Sequence, residues 1–205
     1  MKKKLIILIM LMSLSMIAWG DVTSDQNSQT NDVQNQEPDT SNGGSNHILV
    51  AYFSHSGNTR TIANQIHDVV GGDLFEIKTV DPYPTEYQAV VDVAKKELSE
   101  GYRPKLATHV ENIDSYDVIF LGYPNWWGTM PMAVETFLTE NDLSGKTVIP
   151  FCTHEGSQLG SSVTDIKNLC PKATLLDGLS IRGSEVNNAQ NQVAEWIGKL
   201  GITKA

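Results

Sequence analysis

Ser54, Ser56, Asn58 and Thr59 fall within six positions of one another, around Gly57 and directly after the apolar run His47 to Phe53. Three hydroxyls, one carboxamide and a glycine that lets the backbone come close make a set of neutral donors. At the start of a helix, where the first N–H groups have no partner and the dipole is positive, such a set suits a phosphate. An ordinary helix cap needs one of these residues, and here there are four. No lysine follows as in a nucleoside-triphosphate loop, and the spacing G-x-G-x-x-G is absent.

Two further polar loops follow apolar runs. Pro124, Asn125, Trp126, Trp127 and Gly128 lead to Pro131. Two adjacent tryptophans in a loop are not both core residues, and at least one is expected to offer its face to a flat ring. Thr153, His154, Glu155, Gly156 and Ser157 open the third loop, which runs to Gly160. Its backbone groups could meet the edge of that ring. His154 and Glu155 are read as solvated loop residues rather than proton carriers, and no catalytic residue is assigned. A ring platform beside a phosphate loop points to a ligand with a ring at one end and a phosphate at the other.

Elements must bring these loops together. Continuously apolar runs at Ile48 to Phe53, Val118 to Tyr123, Thr147 to Cys152 and Thr174 to Ile181, with a weaker one at Asp73 to Thr79, read as strands covered on both faces. Helical spacing alternates with them: Asn58 to Val70, Tyr87 to Gly101 with Val90, Val91, Ala94 and Leu98 on one face, Met132 to Thr139, Ser161 to Leu169, and Ser184 to Leu200. Five such alternations predict a three-layer α/β domain with helices on both faces of a parallel sheet. In that architecture ligands sit outside the carboxyl ends of the strands, where the three loops lie. The stretch holding Tyr102, Pro104 and His109 fits no element.

The same layout separates the two cysteines. Cys152 ends a strand at the loop edge, whereas Cys170 follows a helix that runs back to the opposite edge. A disulfide needs Cα atoms within about 7 Å, so two free thiols are expected, with Cys152 nearer the site. Neither cysteine nor the scattered histidines show metal-ligand spacing.

The N-terminus reads as an export signal. Lys2, Lys3 and Lys4 precede an uncharged run from Leu5 to Ala18, and Ala18-Trp19-Gly20 suits cleavage, although an uncleaved membrane anchor fits as well. Trp19 stands where a lipoprotein signal has cysteine, so lipidation there is excluded. Residues 21–46 are polar, with Val22 and Val33 as the only large apolar side chains, and read as a linker that cannot offset its ordering entropy. The folded domain is expected over 47–205. It carries 19 acidic and 12 basic residues, a formal charge of −7. That balance excludes a nucleic-acid footprint and suits a basic protein partner or a small-molecule acceptor.

With the three loops placed, the chain from His47 to about Ile202 resembles the flavodoxin family, in particular exported or tethered bacterial members. Ser54, Ser56, Gly57 and Thr59 match the phosphate loop, and the run Gly122 to Pro131 matches a tryptophan-containing ring loop. Cys152 to Ser157 matches the third flavin loop. The resemblance implies a doubly wound, five-stranded parallel sheet in the order 2-1-3-4-5 with FMN bound noncovalently. Ser54, His55, Ser56, Gly57, Asn58 and Thr59 would hold the phosphate. Pro124, Asn125, Trp126, Trp127 and Gly128 would line one side of the isoalloxazine, and Thr153, His154, Glu155, Gly156 and Ser157 the other. Three functions follow as alternatives: an electron carrier with an exposed flavin, an NAD(P)H-dependent quinone or nitro reductase, and a binding module that has lost flavin.

Overall fold

A computed structural model describes residues 46–202, 204 and 205. The expected signal at 1–20 and all but the last residue of the expected linker lie outside the described residues. The elements follow in the order β1 (Ile48–Tyr52), α1 (Asn58–Val70), β2 (Asp73–Glu76), α2 (Tyr87–Glu100), β3 (Val118–Pro124), α3 (Met132–Glu140), β4 (Thr147–His154), α4 (Ser162–Leu169), β5 (Thr174–Leu175), β6 (Leu179–Arg182) and α5 (Gln190–Leu200).

The strands form one parallel sheet in the order β2-β1-β3-β4-β5, with β6 also paired to β4. The expected order 2-1-3-4-5 is therefore present, with its fifth strand in two pieces. Every residue of β1 is buried, as a strand covered on both faces requires. Alternate residues divide between two layers. Val50, Phe120 and Phe151 pack against α1 and α5 through Ile62, Ile66, Val193 and Ile197. Leu49, Ile119, Leu121 and Val148 pack against α3 and α4 through Val134, Phe137 and Ile166.

The break in the fifth strand has a cause in β4. The carbonyl of Val148 accepts from the N–H of Leu176 at 3.1 Å, so Val148 faces the fifth strand. Backbone groups alternate sides along a strand, so Pro150, two residues on, faces it too and has no N–H to offer. The break at residues 176–178 falls opposite that missing donor. Gly178 fits there because a Cβ would come within 2.9 Å of the Pro150 carbonyl oxygen.

Other elements differ from expectation at their ends. Regular β2 stops at Glu76, yet the chain continues: Val80 N–H donates to Lys105 O at 2.9 Å and Ala107 N–H to Lys78 O at 2.7 Å. The unplaced stretch around Tyr102 to His109 is thus an antiparallel companion to the segment that follows β2, with an isolated bridge between Thr79 and Leu106. Residues 183–188 form a 3-10 turn ahead of α5. On α2 the buried stripe is Val90, Ala94 and Glu97, and Leu98 is 38% exposed, so the helix is rotated from its expected face. Both cysteines are free and buried. No helix among the described residues is long and apolar enough to cross a membrane.

Gly122 in β3 lies under the ring of Phe151, where a Cβ would come within 2.1 Å of the ring. Both neighbours are in strands and cannot move apart. Gly122→Ala should destabilise the domain by about 1–3 kcal/mol through overpacking. In a thermal-denaturation double-mutant cycle, Phe151→Leu should recover part of that loss, because the smaller side chain leaves room for the added methyl.

Candidate functional site

A cavity of about 710 Å³ opens at the carboxyl edge of β1, β3 and β4. Twelve of the sixteen expected residues line it: His55, Ser56 and Asn58 from the first loop, Pro124, Asn125, Trp126 and Trp127 from the second, and Thr153, His154, Glu155, Gly156 and Ser157 from the third. Ser54, Gly57, Thr59 and Gly128 stand behind its wall and shape it.

The first loop turns through Gly57, whose φ of 92° is left-handed, and enters α1. The Ser54 hydroxyl accepts from the N–H of Arg60 at 3.2 Å, and the Gly57 carbonyl from that of Thr61 at 3.0 Å. The backbone N–H groups of Ser56, Gly57, Asn58 and Thr59 meet no acceptor among the described residues. Nor do the Ser56 hydroxyl and the Asn58 carboxamide. Six donors therefore converge at the positive end of a 13-residue helix, an arrangement made for an anion. The Nε2 of His55 lies 2.7 Å from the Pro84 carbonyl, which draws the segment before α2 over this loop.

Thr59 and Asn125 fasten the three loops to one another. Thr59, 1% exposed, shares a 2.9 Å hydrogen bond between its hydroxyl and that of Thr153. The Asn125 N–H donates to the Thr153 carbonyl at 2.8 Å, its side-chain amide donates to Gln158 O at 2.8 Å, and its Oδ1 accepts from Gly128 N–H at 3.0 Å. Both ends of the Asn125 carboxamide are thus spent inside the protein. Gly128 in turn passes its carbonyl to the Ser161 N–H at 2.8 Å. Gly160, at φ 56°, leaves that carbonyl room, since a Cβ would come within 2.0 Å of it. Within β4, Cys152 donates its thiol to Gln158 O at 3.2 Å, and burial pushes its pKa up to about 12, so it stays protonated at neutral pH.

The two tryptophans divide. Trp126 packs edge-on against Phe53, His55 and Tyr83, with ring centroids 5.5, 5.8 and 5.1 Å away. Trp127 is 50% exposed and has φ 54°, a left-handed backbone that only a constrained loop imposes on such a residue. Its Nε1–H donates to the Val91 carbonyl at 3.2 Å, and the Lys95 ammonium lies 5.2 Å from its ring centroid. Trp126 is thus a packing residue, and Trp127 is the tryptophan left half-exposed at the cavity.

A further wall is α2, which adjoins Trp127 and contributes Tyr87, Val90, Val91 and Ala94. Sequence reasoning finds the apolar face of this helix but not its place over the cavity, because no local signal says which strand end a crossover helix covers. Gly183 also lines the cavity and carries no sequence signal. A Cβ there would come within 2.3 Å of the Glu155 carboxylate and 2.8 Å of the Asn58 amide, so glycine lets the third loop close against the first. Arg182 holds Glu155 in place, donating to its carbonyl at 3.1 Å and lying 3.8 Å from its carboxylate. Among the described residues no group of His, Cys, Asp or Glu is placed to hold a metal ion.

A protein-family profile described as Flavodoxin matches residues 47–200. No sequence among curated proteins matches. Solved structures do: a Bacteroides eggerthii protein provisionally termed a flavoprotein is 32% identical, with a TM-score of 0.67 over 77% of this chain and 99% of its own. A protein of the same description from Bacteroides uniformis is 28% identical, with a TM-score of 0.68 over 76% and 99%. A Lactobacillus acidophilus flavoprotein, solved in complex with FMN, is 23% identical and shares the fold with a TM-score of 0.58, covering 70% of this chain and 98% of its own. A doubly wound sheet in this strand order, a donor-rich loop at the head of α1 and a family match over residues 47–200 lead to one conclusion: the chain belongs to the flavodoxin family.

Proposed function

We propose that the protein binds FMN in this cavity and carries electrons through it. The observation that supports this most is the pairing of donors at the head of α1 that meet no acceptor among the described residues, with Ser56 and Asn58 on the cavity wall, and a half-exposed tryptophan lining the same cavity. A phosphate and a flat ring are the two ends of that ligand, and a volume of about 710 Å³ is in the range of cofactor sites. The L. acidophilus flavoprotein, which shares the fold, was solved with FMN. When bound, FMN supplies reversible one- and two-electron transfer. The protein's share is to hold it: Ser56, Asn58 and the neighbouring amides at the phosphate, Trp127 at the ring, and the backbone of residues 153–157 along the ring's edge. A formal charge of −7 on the domain disfavours added negative charge at the site and favours a basic docking partner. The basic and apolar N-terminus supports an exported domain, either released or tethered by residues 1–20.

One observation favours a second reading, an NAD(P)H-dependent reductase of small acceptors. The α2 wall of Tyr87, Val90 and Val91 is apolar and borders the same opening, which suits a flat organic acceptor. Anaerobic mixing with NADH or NADPH separates the two. The carrier leaves the flavin oxidised without an added reductase, whereas stoichiometric bleaching makes the protein an enzyme.

The purified protein should be yellow, or turn yellow and gain thermal stability when FMN is added. A colourless chain that FMN neither stabilises nor quenches would overturn both redox readings. Ser56→Ala or Asn58→Ala should weaken FMN by about 10- to 100-fold, the cost of a hydrogen bond to a charged group. The same variants should leave riboflavin binding, which involves no phosphate, nearly unchanged in a fluorescence titration.

Trp127→Ala should weaken both flavins, by about tenfold, through loss of its ring face. Trp126→Ala should instead show chiefly as a lower melting temperature. Equal effects of the two substitutions on flavin affinity would contradict this division.

A further inference from the structure

Val90, Ala94 and Glu97 make the buried stripe of α2, and the last of them is an acid where the spacing asks for an apolar side chain. Glu97 is 9% exposed. Its partner is the Tyr83 hydroxyl, which donates to Oε2 at 2.6 Å. Among the described residues no Lys, Arg or His side chain pairs with it. Burial raises its pKa, and the Tyr83 hydrogen bond opposes the rise. A buried carboxyl with one neutral partner costs stability that an apolar residue would not. The flavin site makes no use of it.

Glu97 faces a second cavity, of about 280 Å³, which it shares with Tyr83, Tyr102, Asp81, Lys105 and three prolines. Tyr83 joins the two cavities: it lines this one, while its ring packs 5.1 Å from that of Trp126 in the other. One buried carboxyl among tyrosine rings and proline carbons is poor chemistry for a divalent metal, which takes several oxygen ligands. It is good chemistry for an organic cation, with a carboxylate for the charge and aromatic faces for the carbons.

We propose that this second cavity binds a compact alkylammonium group, its charge on Glu97 and its alkyl portion against Tyr83, Tyr102 and the prolines. The group comes either from a free small amine or from a lysine side chain of a protein docked at this edge. Lys105, which lines the same cavity and is unpaired among the described residues, would compete for that carboxylate.

The test uses the full-length chain, with and without FMN, titrated with n-butylammonium chloride and with N-acetyl-lysine methylamide against sodium chloride at equal ionic strength. Calorimetry and the tyrosine ring resonances report binding. Saturable binding in the millimolar range is expected, weakened at least tenfold by Glu97→Gln and tightened by Lys105→Ala. Saturation by both probes identifies a site for free amines; saturation by the lysine probe alone identifies a docked lysine, and either supports the proposal. Absence of saturation with both probes, or equal affinity in Glu97→Gln, overturns it. Should Glu97→Gln fail to fold, Tyr102→Ala, at a side chain 55% exposed, takes its place with an expected loss of at least threefold. An unchanged affinity in that variant would then be the overturning result. Flavin content is read separately in the same samples, so failure here leaves the FMN reading intact.

Discussion

The site depends on a hydrogen bond of 2.9 Å between two buried hydroxyls, those of Thr59 and Thr153. Thr59 belongs to the first turn of α1, and Thr153 to the end of β4, two strands away from β1. The Thr153 carbonyl accepts from Asn125 at the end of β3. One residue therefore fixes the distance between the head of the helix and both other loops. An anion site and a ring platform serve one ligand only if their separation is constant, and a wall built from loops would not hold it unaided. Thr153, the residue shared by both hydrogen bonds, is itself a buried member of β4.

Much of this was legible in the sequence, for reasons that differ by element. The strands show because a parallel sheet covered on both faces needs unbroken apolar runs, as in Ile48 to Phe53. The loops show because hydroxyls, glycine and paired tryptophans are dense where chain ends of that sheet must lie. What stayed illegible depended on contacts distant in sequence. Asn125 reads as a ligand residue, yet its side chain is consumed by Gln158 and Gly128. The rotation of α2 buries Glu97 against Tyr83, a pairing 14 residues apart with no periodic signature. The antiparallel segment near Leu106 pairs with the residues that follow β2 across more than twenty residues, and its composition is that of a loop.

Polar residues of similar type thus do unlike work in one place. The side-chain donors of Ser56 and Asn58 meet no acceptor among the described residues, while the Ser54 hydroxyl accepts from the Arg60 N–H, Thr59 pairs with Thr153 and Asn125 donates to the Gln158 carbonyl. Adjacent tryptophans split the same way, Trp126 into an aromatic cluster and Trp127 onto the rim. Composition identifies such a loop, but only the geometry assigns the roles. The left-handed backbone at Trp127 also shows why the pair divides: it turns the second ring away from the cluster that holds the first.

Pro150 carries a consequence beyond the ladder it interrupts. An outer strand with a continuous row of unpaired amides is a template for a second chain, and natural sheets avoid leaving one. Here one margin is split into pieces of two and four residues, with a glycine between them. At the other margin β2 is four residues long, and the Thr108 hydroxyl donates to its last carbonyl at 3.0 Å. Neither margin presents a long straight ladder, and on the side of the fifth strand the guard against edge-to-edge aggregation comes down to a missing hydrogen on one ring nitrogen.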